Sequence, residues 1–288
     1  MRKPIFALLG LWLALTTAVE AGTAPAVVQV LQAPAWRTHV GARSALRAGE
    51  ALASGDSIAT GAGARVVLSL SEGSLVKLGE NAELALNELV PPADDSGAFK
   101  GFLDVVRGAF RFTTAVVGRK RDIRVRLTTA TIGIRGTDVW GKSEDARDFA
   151  VLLEGHVTIE RDGQSFDLAQ PNSLFMAPRG QAALPIGPVD PKDLAVWAQE
   201  TEPQAGAGQT QAGGKYRLMV KTSSSAEVAN KLREKLSLAG YGADVVPSAG
   251  LGWRVSIAGF STEADAETGA TALVTEVQLA RPWIAVEP

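Results

Sequence analysis

The stretch KYRLMVKTSSSAEVANKLREKLSLAG, residues 215–240, changes periodicity within its own length. Leu218 and Val220 alternate with Arg217, Met219 and Lys221, the two-residue period of a strand with one covered face. Ser224-Ser-Ala-Glu227 then has capping-box spacing, a hydroxyl for a first-turn N–H with Glu three residues on. Val228, Leu232 and Leu236 follow at four-residue steps, and Gly240 offers a helix stop. Downstream, residues 243–246 and 253–257 read as strands. Thr262 opens a second helix with Ala266, Ala270, Leu273, Val274 and Val277 on one face, and residues 283–286 close the series. The order β-α-β-β-α-β predicts an α+β, split βαβ, ferredoxin-like fold over 215–288, with both helices on one sheet face and the other face open.

This unit resembles the SPOR domain, the sporulation-related repeat of bacterial envelope proteins. The matching text is YRLMV (216–220), the serines 223–225, WRVSIAGF (253–260) with EADA (263–266) behind it, and RPWI (281–284). The resemblance implies binding to peptidoglycan, particularly to denuded glycan strands stripped of stem peptides, through the open sheet face. Met219 stands where the family's first strand commonly carries Gln, an amide suited to sugar hydroxyls.

Strand parity describes that face independently. Leu218, Val220, Val255, Ile257, Ile284 and Val286 form the apolar set that turns toward the helices. Arg217, Met219, Lys221, Arg254, Ser256 and Trp283 share the opposite face and are the candidate glycan-binding residues. A sugar polymer needs an aromatic platform for its C–H faces and donors for hydroxyls, acetamides and carboxylates. The competing reading folds Trp283 over the edge of the core and leaves Arg254 a solvated strand charge. Trp253 shares parity with Val255 and is read as core.

Working back toward the N-terminus, residues 185–214 are rich in Pro, Gly and Gln and end in QAGAGQTQAGG, which predicts a flexible linker, with a short helical turn around Leu194–Trp197. Before it, residues 22–184 are strand-like, with alternation in ARVVLSL (64–70) and IRVRL (123–127) and Gly-containing punctuation between short runs. An all-β unit is expected: a sandwich, a roll or a solenoid. LASGDSIATG (52–61), ARVVLSLSEGS (64–74), TTATIGIRGTDVW (128–140) and EGHV (154–157) resemble the FecR domain. Some members of that family relay a periplasmic signal to a sigma factor through a cytoplasmic segment; Met-Arg-Lys-Pro is all that precedes the apolar leader here, which argues against that role. Arg135-Gly-Thr-Asp138 is read as a structural turn, and the basic cluster of Arg119, Lys120, Arg121, Arg124 and Arg126 as a solvated face.

Residues 1–21, a basic start, an apolar run and Val-Glu-Ala before the cut, are expected to be a secretory signal peptide, with no transmembrane segment after its cleavage. The 288 residues fit two packed units. Basic and acidic residues balance at 18 each over 22–184 and 8 each over 215–288, which argues against a nucleic-acid partner. The absence of Cys removes disulfides, thiolate metal sites and Cys nucleophiles. The two histidines, His39 and His156, lack ligand spacing, and no hydrolase or nucleotide fingerprint is present. No metal, cofactor or catalytic residue is therefore expected. The sequence predicts a non-catalytic, periplasmic envelope protein that binds peptidoglycan and presents its β unit to an envelope protein partner or ligand. A periplasmic signalling component and a cryptic wall-processing enzyme stand as the alternatives.

Overall fold

Alternating burial builds the first unit, a β-sandwich. In the computed structural model, which describes residues 24–94, 97–114, 118–248, 250 and 252–286, the expected signal peptide lies outside the described residues. One sheet uses β1 (Ala26–Gln32), β4 (Ala51–Leu52), β6 (Arg65–Leu70) and β7 (Ser74–Leu78), then β12 (Asp138–Ser143), β13 (Arg147–Glu154), β16 (Ser173–Pro178) and β17 (Gly187–Pro188). The other uses β2 (Ala35–His39), β3 (Ala42–Ala45), β5 (Asp56–Thr60) and β8 (Glu83–Val90), then β10 (Arg121–Arg126), β11 (Thr131–Ile134), β14 (Val157–Arg161) and β15 (Gln164–Leu168).

The long strand β9 (Phe99–Thr114) belongs to both sheets. Its first part pairs with β8 and, in parallel, with β10, while its last part pairs with β7 and β12. The switch falls at Gly108, whose φ of +85° suits glycine and whose hydrogen faces Ala82 where a Cβ would sit at 2.5 Å. The inward residues of both sheets, among them Val28, Leu68, Leu86, Phe112, Ile132 and Leu152, form one apolar core. Strand β13 is buried on both faces from Asp148 to Leu152, because its sheet is covered on the outside as well.

The second unit has the expected order: β19 (Tyr216–Ser223), α2 (Ala226–Leu238), β20 (Asp244–Ser248), β21 (Gly252–Phe260), α3 (Glu263–Thr275) and β22 (Trp283–Val286). Its strands lie side by side as β20-β21-β19-β22. Leu218, Val255 and Ile257 pack with Leu236, Ala270 and Leu273 of the helices, and Trp253 lies partly buried against that core. The α2 cap sits one residue later than the capping-box reading: Ser225 accepts from Val228 N–H, and Val228 is exposed. Thr262 caps α3 as expected. Val286, expected on the covered face, lies exposed at the strand end.

Over 185–214 the structure differs from the tether reading. Helix α1 (Pro191–Glu200) follows the sandwich, capped by Asp190, and Trp197 stacks on Trp140. Strand β18 (Gln209–Gln211) pairs with β1 and touches β21 at Thr210–Phe260, so hydrogen bonding passes from one unit to the other. Composition had argued from side-chain burial, but this segment is held by its backbone. Glycine is what allows the approach, since a Cβ on Gly214 would lie 2.1 Å from Gly259 O. The C-terminal end of α2 also seats on the β2–β3 hairpin. Trp36 Nε1 donates to Leu238 O at 3.2 Å and Ala35 N to Gly240 O at 3.1 Å, taking carbonyls that a helix end leaves without partners.

Candidate functional site

The uncovered face of the second sheet is organised by one row of opposed residues. Ser256 on β21 lies opposite Met219 on β19, which lies opposite Trp283 on β22; Asp244 on β20 continues the row beyond Ser256. Opposed residues share a face and lie within side-chain reach. Arg217, two residues before Met219, lies on that face and donates from Nη1 to Ser256 Oγ at 2.9 Å. Trp283 is 54% exposed, which leaves its indole open at the margin of the row.

Two of the six predicted residues take different places. Ser256 is 0% exposed, so its hydroxyl serves to hold the Arg217 guanidinium rather than to meet a ligand. Lys221 leaves the face. A bulge makes Val220 an extra residue, so Lys221 comes opposite Val255 and Thr222 opposite Arg254. Val255 is buried under the helices, which assigns Lys221 the helix-side parity and brings Thr222 to the open side. Arg254 is half-buried, and its Nε is buried without a hydrogen-bond partner among the described residues. The face therefore gathers Arg217, Met219, Thr222, Arg254 and Trp283 over a floor that includes Ser256. Parity missed Thr222, since simple alternation does not register a bulge, and Asp244, whose place depends on the pairing of β20 with β21.

In the first turn of α3, Asp265 is a structural side chain that strand and helix periodicity does not single out. Fully buried, it accepts from Gly208 N–H at 3.2 Å, Gln209 N–H at 3.1 Å and Thr262 Oγ1 at 2.6 Å. It fixes the start of β18 to the helix. Between the units lies a cavity of about 360 Å³ whose lining includes Leu31, Ala48, Thr210, Ile257, Phe260 and Tyr241. Tyr241 donates to Glu276 Oε2 at 2.6 Å, and burial together with that carboxylate pushes its phenol well above the ordinary range, keeping it a neutral donor.

In the sandwich the Arg-Gly-Thr-Asp segment acts as a strut. Thr137 Oγ1 donates to His156 O at 2.7 Å, and Asp138 takes two hydrogen bonds from Arg111 at 2.9 and 2.7 Å. Arg121, grouped with the solvated cluster, instead turns inward and pairs with buried Glu72 at 3.1 Å, while Arg124 and Arg126 stay on the polar side. The histidines each meet one carboxylate, His39 with Asp56 at 2.7 Å and His156 with Asp167 at 3.3 Å. Hydrogen bonds from His156 and Thr158 hold the Asp167 carboxyl below its usual value. No group of three or more metal-ligating side chains occurs among the described residues.

Comparison with known proteins agrees with this division. Residues 56–158 match the family model described as FecR protein, and residues 212–285 match that of the SPOR domain. The chain is thus a fusion of a FecR unit with a SPOR unit, in that order. Both are binding or signalling families of the cell envelope, and SPOR domains bind peptidoglycan. No described helix is long and apolar enough to cross a membrane. Among solved structures, two crystal structures of a Parabacteroides distasonis protein described as a "putative anti-sigma factor" match at 16% identity and TM-scores of 0.41. The first match covers 76% of this chain and 91% of that one, the second 80% and 97%. No curated protein matches the chain.

Proposed function

We propose that this is a periplasmic, non-catalytic protein that holds denuded peptidoglycan strands on the open face of its C-terminal sheet and so keeps its β unit at the wall to meet a partner. The observation that carries this reading is the exposed Trp283 in register with Met219, flanked by Arg217 and Arg254. An indole face suits the C–H surfaces of a pyranose, and the Met219 thioether extends that apolar strip where an amide would have added hydrogen bonds. Removing a stem peptide leaves a carboxylate on the lactyl group of each stripped sugar. Two guanidinium groups beside an aromatic platform select that anion over the amide it replaces. Arg217 is pre-oriented for the task by Ser256.

Sedimentation of the full chain with sacculi tests the reading. Amidase-treated sacculi should retain the protein, untreated sacculi should retain markedly less, and Trp283→Ala should release it from both. Equal, negligible retention on the two preparations would overturn the proposal.

A further inference from the structure

Helix α1 contributes no buried residue of its own, yet the surface beneath it is shut off from water: Trp140 is 0% and Phe149 1% exposed. The seal is a single side chain. Trp197 stacks on Trp140 with ring centres 5.5 Å apart and planes 8° from parallel, and meets Phe149 at 5.0 Å. Leu153, Leu174 and Met176 complete the apolar floor. The rim is basic. Lys142 Nζ lies 3.0 Å from Glu200, the last residue of α1, while Glu202 just beyond takes Lys77 at 2.6 Å and Arg111 at 2.8 Å. Burial opposes the Lys142 charge, but its hydrogen bonds to Glu200 and Glu144 prevail and hold its pKa above the ordinary value.

A ten-residue helix does not persist alone in water, so α1 exists because this surface holds it. The surface is in effect a groove built for one kind of object: a helix with an aromatic anchor and a carboxylate-rich C-terminal end. That is the mode in which amphipathic helices are recognised.

We propose that the Trp140–Phe149 face is the docking surface of the β unit for a partner protein's acidic, aromatic-anchored helix, with α1 occupying it in cis until that helix displaces it. This rests on the reading of the β unit as a partner-binding module but not on glycan binding by the second unit. Shape and charge both favour it: an apolar floor against an indole, and Lys77, Lys142 and Arg111 against Glu200 and Glu202, with Lys142 and Arg111 also held by Glu144 and Asp138 of the sandwich.

The probe is a fluorescent peptide of residues 189–204, titrated into the full native chain and into full-length Trp197→Ala/Glu200→Lys/Glu202→Lys. The variant, its groove vacated, should bind the peptide saturably and at least about tenfold more tightly than the native chain, where α1 competes at high effective concentration. Binding should weaken as salt is raised, and a peptide carrying the W197A change should not bind. Equal binding to both proteins, or none to a variant with native far-UV circular dichroism, would overturn the proposal. If the triple variant does not fold, Glu202→Lys alone decides. It should bind the peptide at least about threefold more tightly than the native chain, and unchanged binding would overturn the proposal. Sacculus retention of the same proteins reports separately on the wall-binding reading.

Discussion

Asp265 shows how much one side chain carries. Its carboxylate satisfies two backbone N–H groups of the segment leading into β18 and the hydroxyl that caps α3, all out of contact with water. Truncation leaves buried donors unanswered, so Asp265→Ala should destabilise the protein by about 2–3 kcal/mol in urea unfolding. Thr262→Ala, which removes one cap, should cost about 1 kcal/mol. Equal effects would show that the contacts with the linker backbone contribute nothing. Neither Asp265 nor the displaced Lys221 was legible from the sequence. The partners of Asp265 are backbone groups more than 50 residues away, and Lys221 moves because of a bulge that alternation does not encode. At this scale alternation put Trp283, Met219 and Arg217 on one face; register sets Trp283 opposite Met219, and Arg217 donates to Ser256.

Among the elements, β9 and α1 carry the most consequence. β9 serves two sheets by turning at Gly108, and Gly108→Ala meets both an unfavourable φ and a contact with Ala82. It should cost at least about 2 kcal/mol, read as a lowered denaturant midpoint, whereas Gly118→Ala, with open space around it, should cost less. α1 depends on charge. Because the Lys142 pKa is raised in the folded state, its contribution is complete below the ordinary lysine value of 10.5 and is lost as pH rises past the raised one. The fluorescence of the Trp140–Trp197 stack should therefore hold between about pH 6 and 9 and change on the alkaline side; loss of the stack near neutrality would contradict this assignment. The strands and the two helices of the second unit were readable because most of their apolar positions, among them Leu218, Leu236, Val255, Ile257, Ala266, Ala270 and Leu273, keep the strand or helix period, although β19 bulges at Val220 and Val228 and Val286 lie exposed. The fixed path of 185–214 was not. Its glycines suggest mobility when read alone, and the surfaces that order it, β1 and Trp140, lie far away in sequence. The continuous run from Phe149 to Leu153 was the available hint that a sheet is covered on both sides.

For the whole molecule, β18 and the seat of α2 on the β2–β3 hairpin join the units by backbone hydrogen bonds rather than by a loose tether. The two units should unfold in one calorimetric transition, and Trp36→Ala, which removes the bond to Leu238 O, should separate it into two. Trp36 and Ala45 engage the end of α2 on the helix side of the second sheet, while Arg47 reaches Ala243 O and lies 3.7 Å from Asp244, at the edge of the open-face row. A molecule built in this way presents the open face of the second sheet and the seat of α1 in a set geometry. The central claim is that the first of these surfaces grips bare glycan. Its most direct test is a calorimetric titration of the full chain with peptide-free glycan strands. The wild type should bind saturably and Trp283→Ala at least about tenfold more weakly, as expected for loss of the aromatic anchor of a small site. Wild-type and variant isotherms that superimpose would contradict it.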